Sequence, residues 1–77
     1  MKNQFLRGLS YVMPLKCRGW NLAEMYFADL NLTRANFYYA DLTKTIFRNA
    51  NLQNANLSGL DLSNANLTGA DLRGALR

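Results

Sequence analysis

Hydrophobic and polar positions along this chain repeat every five residues. The clearest stretch, Ala50 to Gly74, reads ANLQN ANLSG LDLSN ANLTG ADLRG. Carried back in the same frame, a central apolar position falls on Cys17, Leu22, Phe27, Leu32, Phe37, Leu42, Phe47, Leu52, Leu57, Leu62, Leu67 and Leu72. Two residues before each centre lie Leu15, Trp20, Met25, Leu30, Ala35, Ala40, Thr45, Ala50, Ala55, Leu60, Ala65 and Ala70, of which only Thr45 is polar. The other three columns are polar apart from Ala23, Tyr26, Ala28, Tyr38, Tyr39 and Ile46. A period of five matches neither the helix nor the alternating strand, so another geometry must place every fifth residue alike.

Two apolar positions separated by one residue fit the inner face of a short extended segment, and the remaining three must point outward and turn a corner. Repeated, that unit coils into a solenoid. The pattern resembles the pentapeptide-repeat family, A(D/N)Lxx, over residues 15–74. The resemblance implies an all-β fold: a right-handed quadrilateral β-helix with four repeats per coil, hence about three coils and a body about 15 Å tall at the strand spacing. Central Leu and Phe would then fill the axis. Asn or Asp between the apolar pair (Asn21, Asn31, Asn36, Asp41, Asn51, Asn56, Asp61, Asn66, Asp71) would bond to backbone at the turns, with Lys16, Tyr26 and Ile46 as departures. A twenty-residue register would stack Trp20 on Ala40 on Leu60, Phe27 on Phe47 on Leu67, and Phe37 on Leu57, a core widest near its N-terminal end.

The chain divides into an amphipathic segment, 1–14, and the repeat body, 15–77. Met1, Phe5, Leu6, Leu9, Val12 and Met13 share one arc of a helical wheel before Pro14, which suits a short capping helix over the first coil or a partner-binding arm. Charge sharpens this division. Lys2, Arg7, Lys16 and Arg18 carry the whole net charge of +4, while five basic and five acidic groups cancel over residues 20–77. Such a basic arm fits an anionic membrane surface, nucleic acid or an acidic protein. Peripheral membrane contact is the more open of these and nucleic acid the less expected. No stretch approaches the roughly 20 apolar residues of a membrane span.

Chemistry has few carriers. The chain has 77 residues, no His and one Cys, so an intramolecular disulfide and the usual metal ligand sets are missing, and no cofactor is expected. Asp41 and Asp61 fall one above the other in the register, but on a convex turn face without a third acidic ligand. Glu24 and Lys44 stack likewise as an exposed pair. Cys17 sits at an inward position, a small hydrophobe rather than a nucleophile. Gly59, Gly69 and Gly74 recur at the turn and form no phosphate loop. The expected class is therefore non-enzymatic: an interaction or scaffold module, cytoplasmic by its free thiol. By family analogy the alternative is a DNA mimic that binds type II topoisomerase. That role needs a long acidic rod, whereas this body is electrically balanced and shorter than one ~34 Å turn of DNA.

The repeat leaves unexplained a set of large outward groups: Tyr38 with Tyr39, and Tyr26 above Ile46, beside Arg34 and Arg48. These are the expected protein contacts. At the C-terminal coil the pattern lapses at Leu76 and Arg77, and Leu52, Leu57, Leu62, Leu67 and Leu72 are expected to form an end surface. That end, with Leu72, Leu76 and Arg77 at its rim, is expected to be covered by a second copy or a larger partner.

Overall fold

In a computed structural model the structure describes residues 15–60, 62 and 64–77. The chain pairs with itself in parallel at a constant offset of twenty residues, through Lys16, Asn36, Asn56 and Leu76 in one ladder, Asn21 and Asp41 in a second, Tyr26, Ile46 and Asn66 in a third, and Asn31, Asn51 and Asp71 in a fourth. Four ladders per twenty residues make each coil four-sided. The first face holds 15–19, 35–39, 55–59 and 75–77. The second holds 20–24, 40–44 and the described members of 60–64. The third holds 25–29, 45–49 and 65–69, and the fourth 30–34, 50–54 and 70–74. Each rung exchanges backbone bonds with the next, as where Cys17 N–H donates to Asn36 O at 2.8 Å and Asn36 N–H to Leu15 O at 2.9 Å.

The corners are tight turns. Trp20 N–H donates to Cys17 O at 3.0 Å, Met25 N–H to Leu22 O at 3.1 Å and Ala40 N–H to Phe37 O at 2.8 Å. Positive φ falls on the third residue of each such turn and not on the second, which defines type II. Glycine was the sequence's only visible sign of this corner, yet Glu24, Asp29, Arg34, Tyr39, Lys44, Asn49 and Asn54 adopt it too, at φ between 57° and 64°. A left-handed conformation costs a non-glycine residue about 1–2 kcal/mol, and glycine loses about 0.5–1 kcal/mol in extra chain entropy. Lys44→Gly, at an exposed corner with φ 60°, should therefore raise stability by about 0.5–1 kcal/mol. Urea denaturation showing no gain, or a loss, would mean that the corner is not strained.

The expected Asn/Asp ladder forms, and its chemistry is an Asx turn. Oδ1 of Asn21, Asn31, Asn36, Asp41, Asn51, Asn56, Asn66 and Asp71 accepts the backbone N–H two residues on, at 3.0–3.2 Å. Each bond satisfies a donor at the start of a corner that the coil-to-coil ladder does not use.

The axis is filled from the two apolar columns, although Met25 is only partly buried and Ala28, from an outward column, is buried with them. Phe27 stacks on Phe47 at 5.5 Å between ring centroids, and Phe37 reaches both from the adjoining side at 6.1 and 5.8 Å. Leu32, Leu42, Leu52 and Leu57 are buried with them. Thr45 is fully buried as well, and its hydroxyl donates to Leu22 O at 3.1 Å, so the polar exception in the inward column is satisfied. Trp20 departs from the expected core stack: on the uppermost described coil the residue is 57% exposed, while Ala40 below it is buried.

The C-terminal end also differs from expectation. Leu52 and Leu57 are buried rather than part of the end surface, because their ladders continue beneath them through Asp71 and Leu76 respectively. Leu57 N–H donates to Leu76 O at 2.8 Å, and Leu76 N–H to Ala55 O at 2.9 Å. Leu62, Leu67 and Leu72 are only half-covered, and Leu76 points out. The capping helix proposed for 1–14 lies outside the described residues.

Candidate protein-interaction surface

The corner between the first and second faces gathers the large exposed side chains. Tyr39 occupies the left-handed position of the turn Phe37–Ala40, φ 57°, and Asn36 holds the entry to that turn by accepting Tyr38 N–H at 3.0 Å. The Tyr39 ring lies over Gly59, one coil below: a Cβ at Gly59 would come within 2.8 Å of Tyr39 Cε1. A glycine is thus required there for the ring to lie flat, in addition to its φ of 75°. The Tyr38 and Tyr39 rings meet edge to face at 4.4 Å, and the Arg18 guanidinium sits 5.1 Å from the Tyr38 centroid. Tyr39 is 62% exposed; Gly19 stands above it in the register with open space around it, and Trp20 is the next residue along that coil.

The other residues singled out from the sequence fall elsewhere. Arg34 is exposed at the corner where the fourth face meets the first. Arg48 is exposed at the diagonally opposite corner from Tyr39, so these two arginines do not join the tyrosines. Tyr26 and Ile46 are half-buried and bridge-paired on the third face, which makes them a surface ladder. Lys16 and Arg18 are exposed on the first face, and Arg77 is exposed beside Leu76; Lys2 and Arg7 lie outside the described residues. Arg18 was legible only as part of a basic arm. Its place over Tyr38 follows from the twenty-residue offset, a signal that was present in the sequence. The exposure of Trp20 had no such signal, because its column is otherwise inward.

Two of the described carboxylates, Asp41 and Asp71, are tied to their own turns. Asp71 accepts from Arg73 Nη2 at 2.6 Å and from Gln53 Nε2 at 2.7 Å. The bond from the Arg73 side chain, followed by the Arg73 backbone N–H, holds its carboxyl far below the usual range. Asp41 accepts the Thr43 hydroxyl at 2.7 Å and is lowered by that bond first. Asp61 lies outside the described residues, so the stacked acidic pair has one described member. Glu24 and Lys44 form no ion pair; Arg73 with Asp71 is the ion pair among the described residues. Burial pushes the Cys17 thiol up, away from the thiolate a nucleophile needs. No group of three or more potential metal-ligating side chains occurs among the described residues. No helix long and apolar enough to cross a membrane occurs among them.

Comparison with known proteins agrees with this architecture. A family model described as pentapeptide repeats matches residues 16–49 and 45–76, with eight copies. Among solved structures, a pentapeptide repeat protein from the Arabidopsis thaliana thylakoid lumen, determined by crystallography, superposes with a TM-score of 0.75 at 31% identity. The match covers 96% of this chain and 46% of that one, so the chain spans about half the length of that structure. No curated protein matches the sequence.

Proposed function

This chain belongs to the pentapeptide-repeat family, whose fold is a right-handed β-helix, and from that premise we propose that it acts as a non-enzymatic protein–protein interaction or scaffold module with the Arg18–Tyr38–Tyr39 corner as its contact surface. One observation carries the reading. The Asn and Asp side chains at the ladder positions bond to their own turns, whereas Tyr39 and Trp20 stand exposed, Tyr39 against the Tyr38 ring that Arg18 overlies. Trp, Tyr and Arg are the residue types that dominate binding hot spots, and here the coil-to-coil ladder fixes their backbones in advance.

Affinity capture from the native host, with wild type beside Tyr38→Ser/Tyr39→Ser, tests this. Both changes are at the surface, so the double variant should keep the far-ultraviolet spectrum of the wild type and lose at least one reproducible partner. An identical capture profile from a folded variant would remove the aromatic corner from the proposal. The topoisomerase-binding alternative calls for a long acidic rod, and the first face, with Lys16, Arg18 and Arg77, carries no acidic side chain.

The half-covered Leu62, Leu67 and Leu72, with exposed Leu76, support a second copy packed on the C-terminal coil. Light scattering should then read a mass of two chains, falling on dilution. A stably folded, concentration-independent monomer would exclude it. Buried and unpaired Cys17 supports a reducing compartment, with the cytoplasm as the proposed location.

A further inference from the structure

The twenty-residue register sorts charge by face. On the first face, residues 15–19, 35–39, 55–59 and 75–77, the charged side chains are Lys16, Arg18 and Arg77, and none is acidic. Arg34 adds a fourth cation at its border with the fourth face. The neighbouring second face carries Glu24 and Asp41 together with Lys44. Chain-wide neutrality of the repeat body therefore conceals a cationic side next to one that holds carboxylates.

Hydrogen-bond polarity on the first face has the same sense. Asn36 Oδ1 accepts Tyr38 N–H at 3.0 Å and Asn56 Oδ1 accepts Ser58 N–H at 3.0 Å. A backbone N–H can be met only by the amide oxygen, which leaves Nδ2 of each as the outward group, a donor. Lys16, Asn36 and Asn56 are successive rungs of one ladder, so they form a column of donors spaced by about 4.8 Å. Beside that column run Arg18 and Tyr38, and at its edge stand the exposed rings of Tyr39 and Trp20.

We infer that the first face docks an acidic peptide segment of a partner protein, its carboxylates taken by Lys16, Arg18 and the Asn36 and Asn56 amides and an apolar side chain of the segment packed on Tyr39 and Trp20. The inference rests on the interaction-module reading above and adds the chemistry of the partner. A nucleic acid strand would offer anions and stacking bases too, but one that followed the rings around the corner would run against Asp41 and Glu24. A short acidic segment ends before it meets them.

The test is titration of the whole 15N-labelled chain with an end-blocked Glu-Glu-Trp-Glu-Glu peptide at low salt, with oligothymidylate in a parallel arm. Amide shifts should centre on Lys16–Gly19, Asn36–Tyr39 and Asn56–Gly59. Lys16→Gln/Arg18→Gln should weaken binding by about tenfold, Lys44→Gln on the second face should change it by less than about twofold, and raising salt to about 0.5 M should remove most of it. Shifts confined to residues 2–14, shifts spread evenly over the faces, or an unaltered affinity in the Lys16/Arg18 variant would overturn the inference. So would tighter binding of oligothymidylate at the same residues, which would make the face a nucleic-acid site. If the peptide fails while Tyr38→Ser/Tyr39→Ser still loses its captured partner, the acidic-segment inference falls and the interaction reading stands; if both fail, both fall.

Discussion

Phe37→Ala is expected to lower unfolding stability by about 3–5 kcal/mol, the largest loss from any single truncation in the body. Phe37 is fully buried and contacts Phe27 and Phe47 at once, so its removal opens a cavity bounded by two rings that are each held in place by their own rungs. Rungs locked by backbone bonds above and below cannot collapse into the space, and a cavity that stays open is the costly kind. The same logic orders the leucines. Leu42, buried on the middle coil, should lose about 2–5 kcal/mol on truncation to Ala. Leu62, on the half-covered last coil, should lose clearly less. Asn51→Ala removes one bond, from Gln53 N–H at 3.0 Å, and should cost about 1 kcal/mol. Urea denaturation of the four variants gives the order directly, with Phe37→Leu as a milder probe should the Ala variant be unfolded. Equal losses at Leu42 and Asn51 would mean that inward and outward columns are misassigned.

How far the sequence determines this fold can be judged at particular residues. The columns of Leu, Phe and Ala specify which side chains fill the axis, because burial is the largest favourable contribution and a five-residue period admits few geometries. Thr45 looked like a fault in the column and is a satisfied one, since a neighbouring carbonyl, Leu22 O, lies within reach of its hydroxyl. Corner conformation was legible at Gly59, Gly69 and Gly74 but hidden at Tyr39, Lys44 and Arg34, where the ladder overrides local preference. The contact surface was half legible. Tyr38 and Tyr39 stood out as misplaced apolar residues, and Arg18 needed only the offset of twenty. Trp20 and the distance of Arg48 from the tyrosines needed coordinates, because a repeat pattern assigns columns without saying which end of a column is uncovered.

Deleting one residue should be far more damaging than deleting five. Removal of Gln53 advances every later residue by one position, so that the inward slots of the last coil receive Asn56, Ser58, Asp61, Ser63, Asn66, Thr68, Asp71 and Arg73, and Leu57, Leu62, Leu67 and Leu72 turn outward. Each leucine forfeits about 1.5–3 kcal/mol of burial, discounted where it is half-covered. Buried carboxylates and a guanidinium add further cost, so the sum rivals the entire stability of a domain this size, about 5–15 kcal/mol. The C-terminal coil cannot form in that frame. Removal of Asn51–Ala55 instead moves the later chain by one whole face. Leu57 then takes the place of Leu52 beneath Leu32, and Leu62, Leu67 and Leu72 replace leucines in turn, while Asn56, Asp61 and Asn66 fall on the Asx-turn positions they would have held one face later. The main misfit is Leu60 in the slot of fully buried Ala55, an overpacking of about 1–3 kcal/mol, together with the loss of one leucine at the open end. The five-residue deletion should therefore give a dispersed amide spectrum and a cooperative urea transition at reduced midpoint. The one-residue deletion should lose the signals of residues after Asn54 or aggregate. Equal damage from both would show that specific stacking between faces, rather than the inward–outward alternation, holds the coil together.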